Sequence, residues 1–160
     1  MDNRIDKLIN DFKLYYCVEC GKCVAGCPML ELYEDFSSDF TSRGVIRKAV
    51  FTGSLIDSKD IWRCLNCQLC ERMCPAGVKY AKFIADVRSM AIEEGYTDQC
   101  SFCEGCGKYY LPEPTVNAYQ AILHKADRPN GYTHLCPTCK LESFAESVKV
   151  GAFRVGKKST

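Results

Sequence analysis

The sequence predicts a mainly α-helical chain folded in two units around its cysteines. Apolar residues recur at three- and four-residue steps through much of residues 1–95. The pattern C-x-x-C-x-x-C-x-x-x-C-P occurs twice, at an offset of 47 residues. From Tyr96 the composition shifts to short runs punctuated by Pro112, Pro114, Pro129, Gly105, Gly107 and Gly131. The expected division is therefore a helical unit at 1–95 and a smaller cysteine-bearing unit at 96–160.

Ile5, Leu8, Ile9 and Phe12 fall at helical spacing within the first 16 residues, with Lys7, Asn10, Asp11 and Lys13 between them, which predicts an amphipathic helix docked on the chain's own core. The first cysteine run follows: Cys17, Cys20, Cys23 and Cys27-Pro28. The 35 residues before Cys64 are too many for a hairpin and carry a helical pattern. Thr41 or Ser42 can cap a helix that places Val45, Ile46, Ala49 and Val50 on one side and stops at Gly53. Asp57 or Ser58 can cap a short turn into Trp62. The second run holds Cys64, Cys67, Cys70 and Cys74-Pro75. Beyond it Val78, Ala81, Ile84, Val87 and Ala91 predict a helix of about four turns, ending at Gly95. In the second unit residues 115–126 fit a short helix and a strand about equally, and the polar tail Gly156-Lys157-Lys158-Ser159-Thr160 is expected to fray.

Thirteen cysteines in 160 residues mean that the thiols are in use. A 47% hydrophobic content with 26% charged residues excludes disorder. The formal charge of +1 removes the electrostatic case for nucleic acid or an anionic membrane surface. A disulfide framework would need an oxidising compartment, and an odd count suits it badly. The start, Met1-Asp2-Asn3-Arg4-Ile5-Asp6-Lys7, does not read as a signal peptide, and nothing approaches the roughly 18 consecutive apolar residues of a membrane span. The expectation is a cytoplasmic protein whose cysteines bind metal. No G-x-G-x-x-G, G-x-x-x-x-G-K-[ST] or G-x-S-x-G pattern appears, so nucleotide binding and serine-hydrolase chemistry have no support, and no catalytic residue is assigned.

Cysteines at every third residue can wrap three thiolates around one face of a cubane cluster, whose fourth iron needs a ligand from elsewhere. In the same run of two-cluster ferredoxins the fourth cysteine, followed by proline, ligates the other cluster. Carried onto these positions, one 4Fe-4S cluster takes Cys17, Cys20, Cys23 and Cys74, and the other takes Cys64, Cys67, Cys70 and Cys27. Pro28 and Pro75 fix the backbone after each crossing cysteine, and Gly21 and Gly26 are expected to relieve crowding beside the cluster. Zinc sites, or buried cysteines acting as small hydrophobes, leave two identical runs ending in proline unexplained. Lys22, Arg63, Arg72 and Lys79 lie near ligand positions and can offset cluster charge or serve as solvated surface charges.

The second unit carries two C-x-x-C knuckles 29 residues apart, Cys103/Cys106 and Cys136/Cys139. Two such turns complete a closed tetrahedral tetrathiolate site resembling a zinc ribbon, with one zinc as the expected metal. Mononuclear iron would use the same ligands. Cys100, Cys103 and Cys106 imitate the start of a cluster run, but no cysteine-proline follows and Tyr110 stands at the fourth position, so Cys100 is read as a buried cysteine outside the site. His134 is read as a neighbour of the site, and Trp62 as core packing, with shielding of a cluster as the alternative. With two clusters and one zinc, each at −2 with its thiolates, the nominal charge falls to about −5.

Residues 10–95 resemble the small iron–sulfur subunit of heterodisulfide reductase, within the helical-ferredoxin group. The resemblance rests on Tyr16-Cys17, Cys20-Gly21-Lys22-Cys23, Gly26-Cys27-Pro28-Met29, Arg43-Gly44-Val45-Ile46-Arg47, Ile61-Trp62-Arg63-Cys64 and Cys74-Pro75-Ala76-Gly77-Val78. It implies a non-catalytic relay passing electrons between the flavin-bearing and catalytic subunits of such a complex. The Cys-Cys-Gly motif of the catalytic member is absent, and residues 96–160 depart from the usual form of the small one. Two alternatives follow: an accessory subunit of a folate-linked, hydrogenase-linked or formate-linked reductase, and a nucleic-acid-binding zinc protein with structural clusters. The neutral charge and the lack of aromatic–basic interleaving count against the second.

Overall fold

The computed structural model describes residues 3–53, 55–131 and 133–155; the tail expected to fray, 156–160, lies outside them. The chain falls into two compact units, Met1–Gln99 and Cys100–Thr160.

The first unit is built from short helices. Helix α1 (Asn3–Asp11) buries Ile5 and Ile9 and stops before the expected 16 residues, because Lys13 takes a left-handed φ of 61° and a 3-10 turn, Leu14–Tyr16, follows. Helices α2 (Lys22–Ala25) and α3 (Met29–Leu32) come next, with Pro28 opening α3. Helix α4 (Ser42–Thr52) has the cap expected of it: the Thr41 hydroxyl accepts from the Gly44 amide at 3.4 Å and donates to the Ser38 carbonyl at 2.6 Å. Its far end closes on Gly53 at φ 64°, and Val45, Ile46 and Ala49 are buried. Ser58 caps the 3-10 turn Lys59–Trp62 by accepting from the Asp60 amide.

Helix α5 (Leu69–Met73) packs against α2 and α6 (Tyr80–Glu93). Helix α6 has no cap from its own preceding residue; the Glu71 carboxylate on α5 accepts from the Ala81 amide at 2.7 Å and serves instead. The Lys79 amide donates to the Phe12 carbonyl at 3.0 Å, fastening this end to the end of α1. Phe83, Ile84, Val87 and Ala91 of α6 are fully buried.

The sequence repeat is also a backbone repeat. Glu19 and Asn66 sit at φ 52° and 53°, and Gly21 and Gln68, which precede α2 and α5, at 78° and 65°. Two left-handed residues at matching places turn each chain segment around its cysteines; glycine and asparagine accept this conformation, so Glu19 and Gln68 are the two held against their local preference. Gly26 has a different reason. A Cβ there would lie 2.5 Å from Met73 Cε, and Met73 is the residue 47 positions further on, so the repeats interlock at this point.

In the second unit β1 (Cys100–Phe102) pairs antiparallel with β2 (Tyr109–Pro112), with an irregularity between Ser101 and Phe102. Residues 115–126, which fit helix and strand alike by pattern, form helix α7 (Glu113–Lys125) nearly to their end, with Pro114 in its first turn where no amide donor is needed. Helix α8 (Pro137–Val155) follows a loop centred on buried Thr133. Thr133 accepts from the Tyr110 hydroxyl at 2.6 Å through its carbonyl and from Gln120 Nε2 at 2.8 Å through its own hydroxyl. No helix among the described residues is long and apolar enough to cross a membrane.

Candidate metal centres

Two clefts in the first unit are lined with cysteine. One contains Cys27, Cys64, Cys67 and Cys70, and Cys23 also lines it. The other contains Cys17, Cys20, Cys23 and Cys74, and Cys70 also lines it. Each cleft thus draws three cysteines from one run and two from the other, the crossing cysteine among them. The packing of α2 on α5 brings the ends of both runs together. Ser42, at the start of α4, and Tyr80, at the start of α6, line both clefts and form a common wall. Cys20 and Cys67, at the middle of each loop, are exposed, whereas the other six are half-buried.

Burial sets the thiol chemistry. It pushes the Cys70 thiol up to about 12, with nearby Cys64 adding to the rise and the Ser42 hydroxyl opposing it. Cys64 is raised by burial and eased by Arg88 and by the Asn66 amide, which donates to its sulfur at 3.3 Å. Cys27 is raised by burial against the Met29 amide. Such thiols hold their protons at neutral pH until a metal displaces them, so loading releases protons. Soft thiolates within an apolar lining suit iron and sulfide. The Tyr80 hydroxyl is buried here without a hydrogen-bond partner.

Two cations near the thiols carried no signal in the spacing of the cysteines. Arg88, on the buried side of α6, is 5% exposed; its Nε donates to the Ile61 carbonyl at 2.8 Å, its Nη2 donates to the Cys64 carbonyl, and its guanidinium lies over Trp62. A charge within an apolar helical stripe was the available clue. Arg43 lines the second cleft, pairs with Glu19 at 2.8 Å and lies within electrostatic range of Cys17 and Cys23. Of the four cations expected near the ligands, Arg63 is committed elsewhere, holding Asp35 at 2.9 and 2.8 Å and lying over Tyr33 and Phe40. Lys22 lines the second cleft, and Arg72 and Lys79 are exposed. Trp62 is buried beneath Arg88 and lines neither cleft.

In the second unit the sulfurs of Cys103, Cys106, Cys136 and Cys139 all lie within 4.8 Å of one another. Cys103 and Cys106 occupy the loop between β1 and β2, whereas Cys136 and Cys139 straddle the start of α8. The Cys136 amide donates to Cys103 Sγ at 3.2 Å, and the Cys139 amide to Cys136 Sγ at 3.5 Å. The first of these contacts, with help from the Cys106 and Gly105 amides, draws the Cys103 thiol down to about 6. Cys139, hydrogen-bonded to the sulfurs of Cys136 and Cys103, is pushed up to about 12. Four sulfurs held this close, with backbone amides aimed at two of them, form a preformed cation site. Cys100 lies outside this group, in β1, and Tyr110 is engaged with Thr133. His134 lies 3.5 Å from the Glu104 carboxylate, and its carbonyl accepts from the Glu104 amide.

A search of curated proteins finds no match to this chain. Residues 13–78 match the family model of a 4Fe-4S dicluster domain, a span that includes both cysteine runs. That match, together with the two cysteine runs, supports an iron–sulfur protein with an electron-transfer role.

Proposed function

We propose that this chain is the electron-relay subunit of a multisubunit oxidoreductase of the heterodisulfide-reductase type, set between its flavin-bearing and catalytic subunits. The observation that carries the reading is the wall common to the two cysteine clefts, where Cys23, Cys70, Ser42 and Tyr80 line both. Centres held on either side of one wall are neighbours in a single folded unit, which suits relay better than two isolated structural sites. Cys17, Cys20, Cys23 and Cys74 would hold one 4Fe-4S cluster, and Cys64, Cys67, Cys70 and Cys27 the other. Each cluster, when bound, takes up and gives back single electrons.

The residues of the chain do the rest. Helices α2 and α5 hold the loops, Arg88 and Arg43 place positive charge beside the thiols, and exposed Cys20 and Cys67 leave an open face on each centre for exchange with a partner. In the second unit we assign Cys103, Cys106, Cys136 and Cys139 to one zinc. The 3.8 Å between Cys106 and Cys136 sulfurs equals the edge of a tetrahedron with zinc–sulfur bonds of about 2.3 Å, whereas a cubane spreads its thiolates over four iron corners. The zinc would staple a unit too small to be stable on its core alone.

Anaerobic isolation from native extract tests the assignment. The expected result is about eight iron and one zinc per chain, two interacting EPR signals on redox titration, and co-purification of a flavoprotein and a catalytic subunit. Co-purification with a folate-, hydrogenase- or formate-linked reductase instead would make it an accessory subunit of that complex. A redox-silent protein holding only zinc would overturn the relay.

A further inference from the structure

Tyr80 opens α6 on the wall between the two clefts and is 2% exposed. Its hydroxyl reaches no hydrogen-bond partner. A buried hydroxyl without a partner is destabilising, and a position that needed only an aromatic ring would be served by phenylalanine, as Phe83 serves on the same helix. Among the described residues three buried side-chain atoms lack partners: Asp6 Oδ1, Asn66 Oδ1 and Tyr80 Oη; only the phenol is a donor. Ser42, the other hydroxyl on this wall, already acts on Cys70. Tyr80 lines the cleft of Cys27, Cys64, Cys67 and Cys70, and the sulfurs within electrostatic range of its hydroxyl, Cys64, Cys70 and Cys27, all belong to that one ligand set.

We infer that Tyr80 is a positioning residue for electron transfer, donating its hydroxyl proton in a hydrogen bond to sulfur at the centre held by Cys64, Cys67, Cys70 and Cys27. The inference rests on the reading of the two clefts as cluster sites. Reduction adds negative charge to the sulfurs, so a donor favours the reduced form and raises the potential of that centre above its twin. The repeat makes the contrast plain. The residue 47 places before Tyr80 is Tyr33, which is buried against Arg63 and lines neither cleft. The hydroxyl of Tyr80 thus adds a difference between the two centres that the repeat-related residue does not supply.

Tyr80→Phe in the loaded protein is the test, read by EPR redox titration, with Cys67→Ser identifying which signal belongs to this centre. The expected result is undiminished iron and a lowered midpoint for this centre alone, about a tenfold change in its reduced-to-oxidised ratio at the parent midpoint, or 59 mV. An unchanged midpoint, or a shift confined to the other centre, overturns the inference. If Tyr80→Phe fails to load, 2,3-difluorotyrosine placed at position 80 keeps the ring and strengthens the donor; it should raise the midpoint, and no change would overturn the inference. Absence of both EPR signals from the parent protein would instead defeat the cluster reading.

Discussion

Arg88 carries a charge on the one face of α6 where a charge is costly. It is retained because its guanidinium satisfies two carbonyls, those of Ile61 and Cys64, that lead into the second cysteine loop, and covers Trp62. Arg88→Met keeps the bulk but orphans both carbonyls. A loss of about 3 kcal/mol is expected, which lowers the thermal midpoint by about 10–20 °C, read as bleaching of cluster absorbance. Arg88→Lys should not rescue it, since one ammonium cannot span both acceptors. The crossing cysteines make a second prediction at this scale. Cys74→Ala should abolish the same EPR signal as Cys17→Ala, and Cys27→Ala the same signal as Cys64→Ala; pairing within each run would contradict the exchange.

Among the elements, α4 and α6 are begun in different ways. Helix α4 is capped locally, by the hydroxyl of Thr41 on the Gly44 amide. Helix α6 takes its cap from Glu71 on another helix, so its start depends on the second cysteine loop being folded. Close packing is stricter than capping at the head of α4. A Cβ at Gly44 would stand 2.5 Å from Asp39 Cα and from the Ser38 carbonyl, both backbone, whereas one at Gly26 meets the mobile end of Met73. Gly44→Ala is expected to cost about 3 kcal/mol and Gly26→Ala about 1, measured by urea unfolding. Equal losses would mean that the turn Ser38–Phe40 yields as easily as a methionine.

For the whole molecule, the two units are expected to draw on separate ligands. Cys136→Ala should remove the zinc and leave the iron content and both EPR signals unchanged; loss of iron as well would contradict the division of ligands. Loading also changes the charge, from a formal +1 toward about −5, so the loaded chain should elute later from an anion exchanger than the metal-free chain.

Much of this was legible because the determinants are local. The spacing of the cysteine runs, the Thr41 cap, the Gly53 stop, the Ser58 turn and the stripe through Ile84, Val87 and Ala91 each depend on residues a few places apart, and all stand where the pattern put them. The 3.6-residue period could not separate helix from strand at 115–126, where the short segment is decided by packing on the hairpin. The sequence by itself determined the dicluster pattern of the two cysteine runs and the helical class, since cysteine spacing and apolar periodicity are written in consecutive residues. Only the tertiary structure decided which cations serve the thiols, what caps α6, and that the hydroxyls of Ser42 and Tyr80 share one wall. Those depend on contacts between residues tens of positions apart, which only the folded chain brings together.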